Sequence, residues 1–521
     1  MAVRELLANN FSGGVQFGEE PGEFTETQWK ELSGFVFDDE RRLRTQWAQH
    51  VLRTTDNVAR VGEVGGFILA ILDDGVEYRE EPTLGAAPGS GGWSTVQDGG
   101  SAFTFGGNPT PRSLTKVPER DGAGGFTEGL LLNTVAEAQD EAYILTVDGG
   151  AVVPKALTER YPTGPEVDDA MPYAEVGTMW GSFLVLGDIR WADDPDDTIS
   201  PSNSAQYPYG LWFSQPNSVT NFDPIDVEFI STHTGTGRIV GMFPLDVGLV
   251  VLAEDGVHLF RGNPANYSYE VVRTDIGCPS PGAATYWAHA NVVAWLDEAG
   301  SVWHTNGEEV TRIDLPLPPA EGPQRGLTAW YDKLVVRRGG VTWVFHAFEE
   351  GGAWTRLRRT PVCTECDAKA TQAFYWRNFE TGALVRFDPV APRDVTETSR
   401  VVSRPLGEAH RRTFWHRAGI RHRGGGEPTV ITWIINRGES VFSAGLDRVG
   451  VHPGSPGPLP MAMPYPFAAE DVEEAFLPAL RGGGVVPAPG PAQEVLVQAD
   501  FVGDVTLESM SLWFHEGRSE R

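Results

Sequence analysis

Between residues 67 and 387 the chain repeats one local pattern: a run of β-forming residues, a tight turn of Gly with Asp, Glu or Asn, and a second such run. Copies stand at Phe67 to Tyr78 (FILAILDDGVEY), Tyr143 to Val153 (YILTVDGGAVV), and Phe183 to Trp191 continuing into Leu211 to Ser214. Further copies are Leu249 to Phe260 (LVVLAEDGVHLF), Val292 to His304, Leu334 to Phe345 and Phe374 to Phe387. Gly at the turn admits the positive φ that a short hairpin needs, so each copy predicts two antiparallel strands. From Leu249 onward the starts fall about 40 residues apart, the spacing of a propeller blade with four short strands. A sandwich of the same length would also carry Gly-rich hairpins, and the regular spacing favours the propeller. The expectation is an all-β chain: an N-terminal arm and first hairpin over 1–60, then a β-propeller-like repeat domain over 61–395.

Two stretches break the pattern, the Gly-, Pro- and Ser-rich residues Glu80 to Gly129 and the acidic Ala192 to Ser204, and both read as loops or insertions. Beyond residue 395 the texture changes, with strand-like runs at Val430 to Asn436, Val495 to Phe501 and Val505 to Phe514 and a Pro-rich connection from His452 to Phe467. These predict an additional C-terminal β-sandwich over 396–521, with one short helix at Glu470 to Leu477 that stops before Pro478.

The charge narrows the partners. With 41 Lys and Arg against 71 Asp and Glu, the net charge is −30, which disfavours any general grip on DNA or an anionic membrane. A channel through which DNA slides remains compatible, because its wall works better without phosphate-holding groups. No apolar run approaches the length of a membrane span, and the first residues lack the apolar core of a signal peptide, so synthesis in the cytoplasm is expected. Three cysteines in 521 residues cannot build a disulfide framework. The 16 Trp suit either packing between sheets or a sugar-binding surface.

Few motifs carry chemistry. Cys363 and Cys366 form a C-x-x-C, half of a zinc knuckle or a redox pair, but no second pair completes it. The reading is a turn with two thiols, with a zinc shared across a subunit interface as the alternative. Asp193, Asp194, Asp196 and Asp197 lack the spacing of a calcium loop. Gly235, Gly237 and Gly241 lack the spacing and the following helix of a phosphate cradle. No nucleophile elbow, zincin motif or P-loop occurs, and no carboxylate pair stands out for glycoside hydrolysis, so neither catalysis nor a cofactor is expected. The one basic concentration is Arg404, His410, Arg411, Arg412, His416, Arg417, Arg421, His422 and Arg423. Arg at that density holds phosphate or carboxylate. In so acidic a chain, packing against the acidic face of a neighbouring copy is the simpler account, with Arg411, Arg412, Arg417, Arg421 and Arg423 as contact residues.

Two stretches resemble a known family. Asn10 to Arg44, with Phe11, Gly13 and Gly14 in its N-F-x-G-G opening, is similar to the start of a class of bacteriophage tail proteins, although Arg41 and Arg42 stand where the family has a turn glycine. The second runs through LWFSQP, with Trp212, Ser214 and Pro216, then Ile239 to Phe243, then Leu249 to Gly262. It continues through DIGCPSP, with Gly277, Cys278 and Pro281, and through Val292 to Ile313. It departs from the family at Pro279, where Val or Ile is usual. The order of these elements resembles podovirus nozzle or hub proteins of the short tail.

The resemblance implies a structural virion protein, assembled in the host cytoplasm, that forms a ring usually of six copies. The ring would retain the packaged genome and conduct double-stranded DNA during ejection. Its implied partners are its own copies, adaptor or head-to-tail connector proteins and tail fibre or spike proteins. A receptor- or glycan-binding tail protein and a polysaccharide-degrading one are the alternatives.

Overall fold

The computed structural model describes residues 4–8, 29, 31–37, 42–54, 58–83, 85, 92–105, 110–120, 126–135, 141–156, 173–192, 204–217, 219, 222–231, 237–313, 326–338, 341–348, 351–357, 374–377, 383–388, 398–403, 406–407, 413–423, 427–435, 440–445, 481–487, 491–492, 494–502 and 505–516. Among them the regular structure is β-strand, with a single short 3-10 turn at Pro281–Ala283.

Each sequence hairpin becomes part of a small antiparallel sheet. The first blade joins Val58–Val64, Phe67–Leu72, Val76–Glu80 and Ser94–Thr95; the second joins Thr110–Arg120, Phe126–Val135, Glu141–Asp148 and Ala151–Ala156. The third is Tyr173–Trp180, Phe183–Ala192, Ser204–Ser214 and Phe222–Phe229, and the fourth Ile239–Leu245, Gly248–Ala253, Gly256–Asn263 and Asn266–Arg273. Ala284–Trp287, Val292–Leu296, Val302–Thr305 and Val310–Ile313 make the fifth, and Leu327–Trp330, Lys333–Arg338, Val341–Phe348 and Gly351–Arg356 the sixth.

The first strands of these sheets gather round a common axis. Val58–Val64 meets Thr110–Arg120, which meets Tyr173–Trp180, which meets Ile239–Leu245; farther round, Ala284–Trp287 meets Leu327–Trp330. Phe374–Arg377 returns to Val58–Val64 and closes a β-propeller. The central strands of the blades are almost continuously apolar and buried, Gly248–Ala253 and Val292–Leu296 at every position, because both faces of each sheet press on a neighbouring blade. Trp295, fully buried in the fifth blade, is the largest such side chain.

The seventh blade is composite. Phe374–Arg377 and Leu384–Asp388 come from the late part of the chain, and the third strand is Ala48–Arg53, paired antiparallel with Leu384–Asp388. An early strand thus fastens the ring on itself.

The Gly- and Pro-rich stretch read as a loop contains strands Thr110–Arg120 and part of Phe126–Val135. Pro111 and Pro118 fit there because Thr110–Arg120 is an edge strand, hydrogen-bonded to a neighbour on one side only.

Beside the propeller the two ends of the chain form a second pair of sheets. One places Thr506–Glu516 between Thr413–Arg423 on one side and Leu43–Thr45 and Arg4–Ala8 on the other, with Arg481–Pro487 outside Thr413–Arg423. The other grows out of the sixth blade: Glu31–Ser33 adds in parallel to Gly351–Arg356, followed by Thr398–Val402, Glu494–Val502, Glu427–Ile435 and Ser440–Gly445. Phe35, Phe37, Leu43, Leu507 and Met510 of the first sheet share one core with Leu32, Val401, Val497 and Phe501 of the second. Phe35 meets Phe501 edge to face at 5.8 Å. The helix expected at Glu470 to Leu477 lies outside the described residues.

Candidate functional site

A half-open cavity of about 220 Å³ lies on the propeller axis, lined by the first strands through Arg60, Glu63, Lys116, Glu175, Met242 and Phe243 among others. Its charges are already matched. Lys116 Nζ lies 3.2 Å from Glu128 and 3.6 Å from Glu63, and Arg238 Nη2 lies 3.5 Å from Glu175. Burial pushes the Glu63 carboxyl above its ordinary value, with Lys116 opposing that shift. Glu63 and Glu175 each lie against a cation, and the volume suits water or a small molecule rather than a polymer. Among the described residues no group of three or more His, Cys, Asp or Glu stands together to hold a metal ion.

The residues that carry the family resemblance occupy packing positions in the third and fourth blades. Trp212 is buried against Phe222, edge to face at 5.9 Å. Ser214 ends the strand Ser204–Ser214: its Oγ accepts the Leu184 N–H at 2.8 Å and donates to the Gln215 carbonyl at 3.1 Å. Pro216 follows, exposed in the turn.

Gly277, Cys278 and Pro281 form the crossing from the fourth blade to the fifth. A side chain at Gly277 would stand 2.0 Å from the Glu254 carbonyl oxygen, so only glycine lets the crossing strand lie on the turn at Glu254 and Asp255. Cys278 donates its N–H to the Ala253 carbonyl at 2.9 Å and its thiol to the Ser280 carbonyl at 3.2 Å. Burial pushes that thiol up to about 12, so it packs as an apolar group and is no nucleophile at neutral pH. Pro281 opens the short 3-10 turn that leads into the fifth blade.

Arg417, Arg421 and Arg423 lie on Thr413–Arg423, a strand paired on both sides. Arg411, Arg412, Cys363, Cys366, Phe11, Gly13 and Gly14 lie outside the described residues.

A further polar group had no sequence signal. Arg386 and Asp388, both fully buried in the seventh blade, pair at 3.1 Å. Arg386 Nη2 also donates to the Pro82 carbonyl at 2.8 Å, and Asp388 accepts the Gly85 N–H at 2.9 Å. Tyr375 donates to Glu81 at 3.2 Å, Trp93 donates to the Leu52 carbonyl at 2.9 Å, and Arg53 pairs with Glu77 at 3.2 Å. Together they tie the last blade to the first, and partners about 300 residues apart leave no local pattern to read.

No family model and no curated protein matches the chain. Among solved structures it is similar to BamB from Moraxella catarrhalis, at 11% identity over 66% of this chain and 97% of that one, with a TM-score of 0.38. It is also similar to YCF48 bound to D1 peptide, at 10% identity over 68% and 99%, with a TM-score of 0.41. The WD40 β-propeller domain of Doa1 follows at 10% identity over 66% and 95%, with a TM-score of 0.36. At these values the strand pairing itself carries the architecture.

Proposed function

We propose that this chain is a structural subunit of a short bacteriophage tail, forming with copies of itself, six in the closed ring, the nozzle or hub that retains the packaged genome and conducts it during ejection. The observation that carries the reading is the ordered resemblance from Leu211 to Ile313. Its motif residues coincide with the serine that closes the third blade, the crossing from the fourth blade to the fifth, and the fifth blade itself.

Two features support a mechanical role. The charged groups on the propeller axis are paired and the cavity there is small, so duplex DNA would pass through a lumen bounded by several subunits. The sheets built from both chain ends serve as the platform round that lumen, and Arg411, Arg412, Arg417, Arg421 and Arg423 meet the acidic face of the next copy. Contacts in a closed ring are heterologous, so opposite charges meet across each interface. Connector proteins above and fibres or spikes around the ring are the remaining partners, and the station is the virion tail.

The rival reading as a sugar-binding surface needs exposed tryptophan. Every tryptophan whose side chain is described is buried or half-buried. The test is assembly: charge reversal of Arg417, Arg421 and Arg423 to Glu should leave a folded chain that sediments as a monomer and yields no ring coaxial with the portal. Intact rings from that variant would sink the interface, and a wild-type chain found only as a peripheral appendage would sink the hub.

A further inference from the structure

The fastening strand Ala48–Arg53 bears a half-buried ionisable group, His50, at its centre. His50 lies directly opposite Arg386 in the strand register, beside the Arg386–Asp388 pair, and its Nε2 is buried with no hydrogen-bond partner among the described residues. Arg386 and Asp388 are the charges that act on it. The other charged or titratable contacts across the seam, Arg53 with Glu77 and Tyr375 with Glu81, are already engaged with each other. A proton on His50 would put a second cation against a fully buried guanidinium whose paired carboxylate, Asp388, also accepts the Gly85 N–H.

We propose that the closing seam of the ring, within the seventh blade, is an acid-sensitive joint, in which protonation of His50 loosens strand Ala48–Arg53 from Leu384–Asp388 while the third blade, which has no histidine, stays closed. The place of the strand gives the joint reach. Leu43–Thr45, just before it, pairs with Thr506–Glu516, and Trp47 packs edge to face on Trp330 of the sixth blade at 4.7 Å. Loosening the fastening strand therefore changes the tether between the propeller and the second pair of sheets. Burial lowers the His50 pKa below its ordinary 6.5, outweighing the opposing pull of Asp388. The sign follows: a base whose folded pKa is depressed stabilises the closed seam above the unfolded value, and that contribution is lost as pH falls below 6.5. The inference stands apart from the tail reading, since it concerns one chain alone.

Hydrogen exchange by mass spectrometry on the full chain tests it, comparing pH 7.5 with pH 5.5 after correction for intrinsic exchange. Amides of Ala48–Arg53 and Leu384–Asp388 should lose protection by roughly threefold or more, while Phe183–Ala192 in the third blade, which has no histidine, keeps its own. The wild-type comparison decides without any variant: equal loss in both regions, or none at the seam, overturns the proposal. His50→Asn, or His50→Gln should the first fail to fold, is expected to abolish the seam response, and a response that persists overturns the assignment to His50.

Discussion

Arg238 reaches one oxygen of Asp188 with two nitrogens, Nε at 2.9 Å and Nη2 at 2.7 Å, and so pins the fourth blade to the third. Asp188 is buried and sits at φ +52°, at a register shift between Gly187 and Ile189, a conformation that Asp tolerates better than most residues. Arg238→Met leaves that carboxylate buried without its cation. The expected cost is about 2 kcal/mol, below the figure for a fully buried pair because Arg238 is partly exposed. Asp188→Asn combined with Arg238→Met should recover part of the loss. Denaturant midpoints for the two variants check this, and equal midpoints would show that the carboxylate left without its cation carries no penalty.

Gly277 is the motif residue whose identity the backbone dictates. A Cβ there meets the Glu254 carbonyl and the Asp255 nitrogen at 2.0 and 2.6 Å, and neither is a flexible side chain that can move aside. Gly277→Ala should therefore lower stability by roughly 1 to 3 kcal/mol, the usual range for overpacking, and toward its upper end because backbone atoms are met. Gly66→Ala, where nothing lies within 4 Å but φ is +85°, should cost less. Thermal unfolding of the two variants side by side gives the ranking.

At Ser214 the hydroxyl serves backbone rather than chemistry. Ser214→Ala would leave the buried Leu184 N–H without its acceptor, at a cost of about 1 to 3 kcal/mol. The same change should leave oligomeric state untouched. Loss of ring formation by a stably folded S214A chain would show that the serine does more than close its blade.

The blades were legible because each hairpin is local. LVVLAEDGVHLF and VVAWLDEAGSVWH hold both strands and the turn within about a dozen residues, and the buried runs appear as continuous apolar stretches. The outer and inner edge strands, such as Thr110–Arg120 with its two prolines, have weaker signatures, since an edge strand owes fewer hydrogen bonds and less burial. The ring closure was not legible. The partner of Ala48–Arg53 lies more than 300 residues away, and the alternation of AQHVLR says only that a strand exists, not what it pairs with. The same holds for Arg4–Ala8 and Glu31–Ser33, which find their neighbours in the last quarter of the chain and in the sixth blade. At the candidate sites, Gly277 and Cys278 were visible as a motif, but their purpose follows only from the carbonyls of Glu254 and Ala253 that they face.

Acid should weaken the fourth blade through His258. Its ring is buried, with Nδ1 3.0 Å from the Tyr269 hydroxyl, which itself accepts the Ser231 N–H at 2.8 Å. His258 Nδ1 and the Tyr269 hydroxyl share one hydrogen bond, whose direction the imidazole tautomer sets. Burial lowers the pKa to about 4, with Asp255 opposing. A base depressed in the fold binds its proton more readily in the unfolded chain, so its contribution is complete above 6.5 and is lost as pH falls toward 4. The full loss is on the order of 3 kcal/mol. His258→Phe keeps a ring stacked on Tyr269 and removes the titration, so its denaturant midpoint should change less between pH 6.5 and 4 than that of the wild type. Parallel pH profiles for the two proteins would show that His258 is not the group that titrates.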